Sequence, residues 1–343
     1  MSAPEAAAPA GRVVFVGAVH EARPALAALL DDPRARVVAV ATTPPDHGSS
    51  PSGRTDLAPA AAAAGVPLRP PADLNAPATV ARIRALAPDL LVVVGWTRLL
   101  GDALLAVPRH GCVGFHASLL PRHRGRAPVN WAILKGESVT GNTMMLLDPG
   151  VDTGDIVDQR LVAIGPEDTC ASVYRRVAHA GAQMLVQHLP ALLAGTAPRH
   201  PQDPDEGDVL PRRTPEMGVV DWAQPARVVH DWVRALTLPY PGAFSALGGR
   251  RVMLWHTRLP DDAQPRGPAG TVLALEPDGV RIATDPGSVV VTAMSARGEA
   301  PRRAAPWCRA AGIRPGLRFE PVPPALARWA RGEGPRPVGV TVP

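Results

Sequence analysis

The feature that most restricts the fold is an alternation of apolar runs and helix-like segments in the first half of the chain. The run RVVFVG, Arg12 to Gly17, is followed by the helix-like segment EARPALAALLDD and by a second apolar run, ARVVAVATT. Continuous apolar runs of this length are typical of strands buried on both faces, and an intervening helix joins parallel neighbours. The sequence therefore predicts an α/β domain in which helices cover a parallel-rich sheet.

The same alternation continues up to one conspicuous histidine. Two further helical segments precede the strand PDLLVVVGW and the shorter strand HGCVGFH, and His116 ends that shorter strand within GFHASLLPRHRG. In open α/β sheets, ligands bind just outside the carboxyl ends of the strands. His116 is therefore predicted to be a site residue.

Two sites that are common on such folds do not match the sequence. The turn after the first strand, VGAVHEARP, contains the single glycine Gly17, whereas a dinucleotide-binding turn uses three. His116, His123 and Asp152 can be pictured as metal ligands. However, a Leu-Leu-Pro turn separates His116 from His123, so the two rings do not share one helical face. We expect neither a dinucleotide site nor a metal site.

The segment GNTMMLLDPGVDTGDIVDQ is predicted to be a strand, a tight loop and a second strand beginning near Ile156, and three aspartates, Asp148, Asp152 and Asp155, crowd the loop. Asp148 and Asp155 are interpreted first as turn formers that accept hydrogen bonds from their own backbone. Asp152 is interpreted as the partner of His116, because a carboxylate beside an imidazole fixes its tautomer and supports proton relay. Spacing alone does not show that the two side chains meet.

Composition sets the remaining limits. The chain has 343 residues, enough for two domains, and its apolar stretches, such as 60–64 and 90–94, are far shorter than a membrane span. The first residues lack a basic start and an apolar signal core, so a cytoplasmic protein without membrane contact is expected. The net charge of +5 arises from dispersed arginines, which permits nucleic-acid binding without requiring it.

Longer segments resemble a known family. FHASLLPRHRGRAPVNWAILKGE together with TGNTMMLLDPGVDTGDIV is similar to the signature of the N10-formyltetrahydrofolate-dependent formyltransferases, which include methionyl-tRNA formyltransferases and sugar N-formyltransferases. The resemblance implies a Rossmann-like catalytic domain over residues 11–198, a linker over 199–218 and a small OB-like β-barrel domain over 219–321. The Pro-rich tail, 322–343, resembles nothing in the family and is expected to be disordered.

The resemblance also implies the site. The family uses an Asn, a His and an Asp; His116 and Asp152 match the last two, whereas Gly114 occupies the usual Asn position. Loss of such a hydrogen-bond donor costs about 3 kcal/mol of transition-state stabilisation in other enzymes. Main-chain N–H groups, a water molecule or Asn142 are the candidate substitutes. By the same resemblance, the residues expected to bind the folate co-substrate are Trp96, Arg98, Leu99, Ser118, Leu119, Leu147 and Asp148.

The acceptor of the formyl group is left open by these motifs. The tRNA branch of the family carries a basic insertion after the second strand, but here that loop is TTPPDHGSSPSGRTD, with Arg54 and the aspartates Asp46 and Asp56. A phosphate backbone is poorly matched by such a loop. A small-molecule amine, on a nucleotide sugar or a specialised metabolite, is therefore ranked above tRNA, and a formyltetrahydrofolate hydrolase or a non-catalytic folate-binding protein are further alternatives.

Overall fold

The computed structural model describes residues 10–43, 52–69, 71, 73–261 and 267–342, which form two compact units. The first unit comprises residues up to 125, 140–163 and 174–209, and the second comprises 126–139, 164–173 and the chain from 210 onward. The expected boundaries followed chain order, with a linker over 199–218. The units instead follow packing, since two early segments group with the second half of the chain.

The elements are numbered along the chain. The strands are β1 Gly11–Gly17, β2 Ala35–Ala41, β3 Leu68–Arg69, β4 Leu90–Val94, β5 Cys112–His116, β6 Arg124–Gly125, β7 Val139–Leu146, β8 Ile156–Ala163, β9 Val209–Leu210, β10 Ala243–Leu247, β11 Arg250–Arg258, β12 Val272–Leu275, β13 Val280–Ala283, β14 Ser288–Ala296 and β15 Arg302–Arg303. The helices are α1 Ala22–Asp31, α2 Ala58–Ala63, α3 Pro77–Ala85, α4 Asp102–Leu105, α5 Pro128–Leu134, α6 Cys170–Ala194, α7 Ala226–Leu236, α8 Ala304–Ala310 and α9 Pro324–Ala330, with a 3-10 turn at Pro215–Gly218.

A seven-stranded sheet in the order β3-β2-β1-β4-β5-β7-β8 forms the first unit. The pairs from β3 to β5 are parallel, and β7 joins β5 antiparallel, with His116 opposite Thr143. Apolar layers lie on both faces of the sheet: one includes buried residues of α1 and α6, and the other includes residues of α3 and α4. This arrangement confirms the predicted α/β fold, and it places the carboxyl end of β5 near the middle of the sheet.

The second unit is built on antiparallel strands in the order β10-β11-β14-β13-β12, with β15 paired to β14. Helix α5, although early in the chain, belongs to this unit, because Nδ2 of the buried Asn130 donates to the carbonyl oxygen of Ala235 at 2.6 Å. The antiparallel sheet corresponds to the smaller β domain that the sequence predicts.

The tail expected to be disordered contains a packed helix. Helix α9 begins with prolines, which favour the first turn because they lack an N–H that would remain unpaired there. Its residues Leu326, Ala327, Trp329 and Ala330 are buried. An apolar face at helical spacing was present in this segment, and the abundance of proline around it concealed the signal.

Within the described parts of the chain, no helix is both long enough and apolar enough to cross a membrane. The cysteines Cys112, Cys170 and Cys308 are all free and buried. Burial raises the pKa of the Cys112 thiol to about 12, so this thiol is not a nucleophile at neutral pH.

Candidate active site

His116 lies at the carboxyl end of β5, with 7% of its surface exposed. Its Nε2 lies 2.7 Å from the carbonyl oxygen of His123. Because a carbonyl only accepts hydrogen bonds, this contact assigns a proton to Nε2. The opposite ring atom, Nδ1, lies 3.5 Å from Oδ2 of Asp152. The structure therefore brings together the two residues that the sequence paired.

Asp152 is held in place by backbone conformation and by hydrogen bonds. Its φ of 54° lies in the left-handed region, which Asp and Asn tolerate better than most residues. The Gly125 N–H donates to Oδ2 at 2.8 Å, and Nε2 of Gln202 donates to the Asp152 carbonyl at 2.9 Å. The carboxylate is thus oriented towards His116 by contacts from two distant segments.

The loop after β5 is fixed by its own polar contacts. The Ser118 hydroxyl donates to the Arg122 carbonyl at 2.7 Å, and the Thr143 hydroxyl donates to the Ser118 carbonyl at 2.7 Å. His123 has a φ of 59°, and its N–H donates to Oδ1 of Asp208 at 2.6 Å. A left-handed conformation is costly for a residue such as His, so Asp208 helps to hold a strained turn over His116.

Gly114 has a specific neighbour in the structure. A Cβ atom built on this residue would lie 2.5 Å from Cδ2 of Leu147. Leu147 therefore fills the space that the side chain of the usual Asn would enter. Asn142 does not substitute for that Asn. Its Nδ2 donates to the Val177 carbonyl in α6, and it lines a cavity together with Phe115. Successive side chains of a strand point to opposite faces, so Phe115 and this cavity lie on the face of the sheet opposite that of His116.

The residues expected to bind folate lie in three loops. Trp96 is half-buried, and its Nε1 is a buried donor without a hydrogen-bond partner. Arg98 and Leu99 are exposed in the loop after β4, where Asn75 contacts the Leu99 carbonyl and the Gly101 N–H. Leu119 and Leu147 are half-buried.

Asp148 has the turn-forming contacts that the residue pattern favoured. Its carboxylate accepts hydrogen bonds from the Gly150 N–H at 3.0 Å and from the Thr153 hydroxyl at 2.8 Å. These contacts shape the loop that carries Asp152. Any contact of Asp148 with a co-substrate would be made in addition to this role.

Comparisons with known proteins agree with this geometry. A family model described as formyl transferase matches residues 11–189, and the model of its C-terminal domain matches residues 212–312. The chain belongs to the formyl transferase family. Membership confirms the expected fold and the expected class of activity, an enzyme that transfers formyl groups with N10-formyltetrahydrofolate as the donor.

Individual family members are similar to this chain over almost its whole length. Methionyl-tRNA formyltransferase of Geobacter metallireducens is 35% identical over 313 residues, which are 90% of this chain and 98% of that protein. The enzyme of the same name from Myxococcus xanthus is 39% identical over 315 residues, which are 89% and 96% of the two chains.

Solved structures show the same fold at lower identity. HypX from Aquifex aeolicus in complex with tetrahydrofolic acid has a TM-score of 0.64 at 22% identity, covering 92% of this chain and 49% of that one. The N-formyltransferase from Helicobacter canadensis, in complex with folinic acid and dTDP-3-aminofucose, has a TM-score of 0.62 at 16% identity, covering 81% and 98%.

Several residues around His116 were not found from the sequence. Gln202 and Asp208 lie far from the motifs, and the main-chain carbonyl of His123 carries no signal in a residue pattern. His123 was considered only as a metal ligand. Among the residues that the structure describes, no group of three or more His, Cys, Asp or Glu side chains is arranged to hold a metal ion.

Proposed function

We propose that this enzyme transfers the formyl group of N10-formyltetrahydrofolate to the amino group of methionyl-tRNA, with His116 and Asp152 at the reacting carbon. The observation that carries the chemistry is the pairing of His116 Nδ1 with Asp152 Oδ2 at 3.5 Å, at the carboxyl end of β5. Parallel sheets place reacting ligands at that edge. The acceptor is inferred from the full-length relatives of that name.

In this proposal, the neutral acceptor amine attacks the formyl carbon and forms a new C–N bond. Nε2–H of His116 donates to the formyl oxygen, in place of the His123 carbonyl that now occupies this donor. The proton released by the amine reaches N10 of the folate as the C–N10 bond breaks. Asp152, 3.5 Å from Nδ1, supports this transfer because its negative charge stabilises the ring while the ring holds the amine's proton in transit in addition to the proton on Nε2.

Gly114 leaves the oxyanion with one side-chain donor fewer than the family pattern provides. Leu147 occupies the adjoining space, so this part of the pocket is apolar. The remaining donors in the proposal are His116 and main-chain N–H groups. Trp96 Nε1 supplies a further buried, unpaired donor, which we assign to a carbonyl or ring nitrogen of the folate.

The sequence alone ranks tRNA below small molecules as the acceptor, whereas the full-length relatives support the reverse order. That ranking depends on the charged residues of the loop after β2. Of these, Asp46 lies outside the described residues. Oδ1 of Asp56 accepts a hydrogen bond from the Ala58 N–H at 2.9 Å, so this acidic residue belongs to the start of α2. A tally of charges in one loop is a weak guide to a partner that contacts a large surface.

A small-molecule amine is the second candidate acceptor. The observation that favours it is a cavity on the opposite face of β5 that contains Glu21 and Asn142. Two polar side chains are a poor match for an apolar methionyl side chain. They match an acceptor that is polar close to its amine.

One assay separates these alternatives. The purified protein is incubated with N10-formyltetrahydrofolate, and tetrahydrofolate release is followed with charged initiator tRNA, with small amines or without acceptor. The proposal predicts release that depends on charged tRNA and yields formylmethionyl-tRNA. Release with small amines alone would support the second candidate, and release without any acceptor would identify a hydrolase. No release under any condition, with folate binding retained, would identify a non-catalytic protein.

A further inference from the structure

The side chain of Gln202 joins two segments that carry the active site, although the sequence predicts a linker at this position. Its Nε2 donates to the main-chain carbonyl oxygens of Asp152 at 2.9 Å and of Gly154 at 2.8 Å. Its Oε1 accepts from Nε and Nη2 of Arg124, at 3.2 and 2.9 Å. A Gln side chain has two N–H donors and an oxygen with two lone pairs. All four are used, two on the Asp152 loop and two on Arg124.

Arg124 belongs to a run of three residues that contacts both His116 and Asp152. The carbonyl of His123 accepts from Nε2 of His116 at 2.7 Å. The N–H of Gly125 donates to Oδ2 of Asp152 at 2.8 Å. Arg124 lies between these two contacts and is 6% exposed. Because closely packed side chains transmit displacement, a shift of Arg124 is passed to both contacts.

Gln202 closes a ring of hydrogen bonds around Asp152. From the Asp152 carbonyl, the ring runs through Gln202 to the guanidinium group of Arg124. It continues along the chain to Gly125, whose N–H donates to the Asp152 carboxylate. Asp152 is thus held at its main chain and at its side chain by the same segment. Support at two points matters, since its φ of 54° lies in the left-handed region, which costs free energy for this residue type.

The two ends of the Gln202 side chain require an amide. Glu at this position would keep the acceptor for Arg124 but would place a carboxylate oxygen against the carbonyls of the Asp152 loop. Lys and Arg donate but do not accept. Asn carries the same groups on a side chain that is one methylene shorter. The donor and the acceptor contacts together therefore match Gln.

We propose that Gln202 is a positioning residue that sets the separation between His116 and Asp152. This inference rests on the proposed formyl transfer and adds a residue that acts on the reaction through Asp152. Nδ1 of His116 and Oδ2 of Asp152 lie 3.5 Å apart, which is longer than a normal hydrogen bond. A misplacement of about 1 Å in an active site costs about 100-fold in rate. Loss of the bridge should therefore slow turnover.

The first test is Gln202→Glu. This variant keeps the acceptor for Arg124 and removes both donors to the Asp152 loop. We expect kcat for formyl transfer to fall about 10- to 100-fold, with little change in the KM for N10-formyltetrahydrofolate. Gln202→Ala removes the whole bridge without adding a charge and should lower kcat in the same way. Each variant is assayed well below its melting temperature, and an unchanged kcat in both would overturn the proposal.

Gln187→Glu is the matched control. Oε1 of Gln187 accepts from Nη2 of Arg160 at 2.6 Å, and both residues belong to the first unit. The change from an amide to a carboxylate beside an arginine is therefore the same. Gln187 lies in α6 and Arg160 in β8, outside the loop that carries Asp152. This control should keep the kcat of the wild type, and an equal loss of kcat would assign the effect of Gln202→Glu to the added charge.

A double-mutant cycle tests whether Gln202 acts through Asp152. If it does, Gln202→Glu should lower kcat little further once Asp152→Asn has removed the charge beside His116. Residues that act as a unit give such non-additive effects. Two full and additive losses in the double variant would show that the residues act independently, and would overturn the positioning role.

A further measurement does not depend on turnover. The ring 15N resonances of His116, assigned by their loss in His116→Gln, report its contact with Asp152. They should shift in Gln202→Glu and stay unchanged in Gln187→Glu. Unshifted resonances in Gln202→Glu would overturn the proposal even if kcat fell. Absent formyl transfer by the wild type would overturn the proposed function, and the resonances would then decide by themselves whether Gln202 sets the separation.

Discussion

Nε2 of His116 donates to the carbonyl oxygen of His123 at 2.7 Å, so the loop after β5 occupies the donor that a formyl oxygen would use. The Asp208 carboxylate keeps this loop in place through the His123 N–H at 2.6 Å. An active-site donor that already has a partner must exchange it on binding substrate. Binding of a formyl oxygen at Nε2 of His116 therefore requires the His123 carbonyl to move away.

We expect the His116–His123 hydrogen bond to break when a formyl-folate analogue binds. A crystal structure with 5-formyltetrahydrofolate should show Nε2 of His116 directed at the ligand and the His123 carbonyl beyond hydrogen-bonding distance. The exchange replaces one carbonyl acceptor with another, so it does not require a different ring tautomer. A complex in which the ligand binds while the 2.7 Å contact persists would contradict this role of Nε2.

Asp152→Asn should separate charge from geometry. Asn tolerates the left-handed φ of 54° and still accepts from the Gly125 N–H, so the melting temperature should change little. Loss of the charge beside His116 should lower kcat by about 100-fold or more, as expected for a general acid–base contribution. Single-turnover formyl transfer and thermal unfolding measure the two effects. Asp155→Asn, in the same loop, is the control, and an equal loss of kcat there would argue against a specific role for Asp152.

Gly114→Asn should not simply restore the family donor. Its Cβ would lie 2.5 Å from Leu147 Cδ2, so the single variant should be overpacked and less stable by about 1–3 kcal/mol. Leu147→Ala opens the space, and the double variant should recover part of that stability. Its formyl transfer should exceed that of Leu147→Ala alone. A double-mutant cycle of urea unfolding checks the packing, and additive effects would mean that the two sites do not interact.

Glu21 should make the stability of the protein depend on pH. Burial raises its folded-state pKa from 4.5 to about 7, so the folded state keeps a proton that the unfolded state loses in this range. The unfolding free energy of the wild type should therefore fall, relative to Glu21→Gln, as the pH rises from 4.5 to about 7, and then level off. Urea unfolding at pH 5 and pH 8 measures this difference. The exposed Glu206→Gln is the control, and the same trend there would assign the effect to another cause.

Much of the first unit was predictable because its signals are local. The strands around Val13, Val37 and Val92 are continuous apolar runs, and a parallel sheet that is buried on both faces requires such runs. His116 could be placed at a strand end for the same reason. The packed helix α9 was missed, since its apolar face is short and is surrounded by prolines.

The sequence by itself determined the alternation of strands and helices, the place of His116 at the carboxyl end of β5, and the choice of Asp152 as its partner. The first two depend on residue types at short spacing, whereas Asp152 was chosen for the chemistry of a carboxylate beside an imidazole and for the resemblance of its loop to the family's. Only the tertiary structure decided that Leu147 fills the space beside Gly114, that Gln202 and Asp208 support the site, and that Glu21 and Asn142 share one cavity. These contacts join residues that are far apart in the chain. The packing of the sheet and its helices sets the distances between them, and no local pattern in the sequence reports those distances.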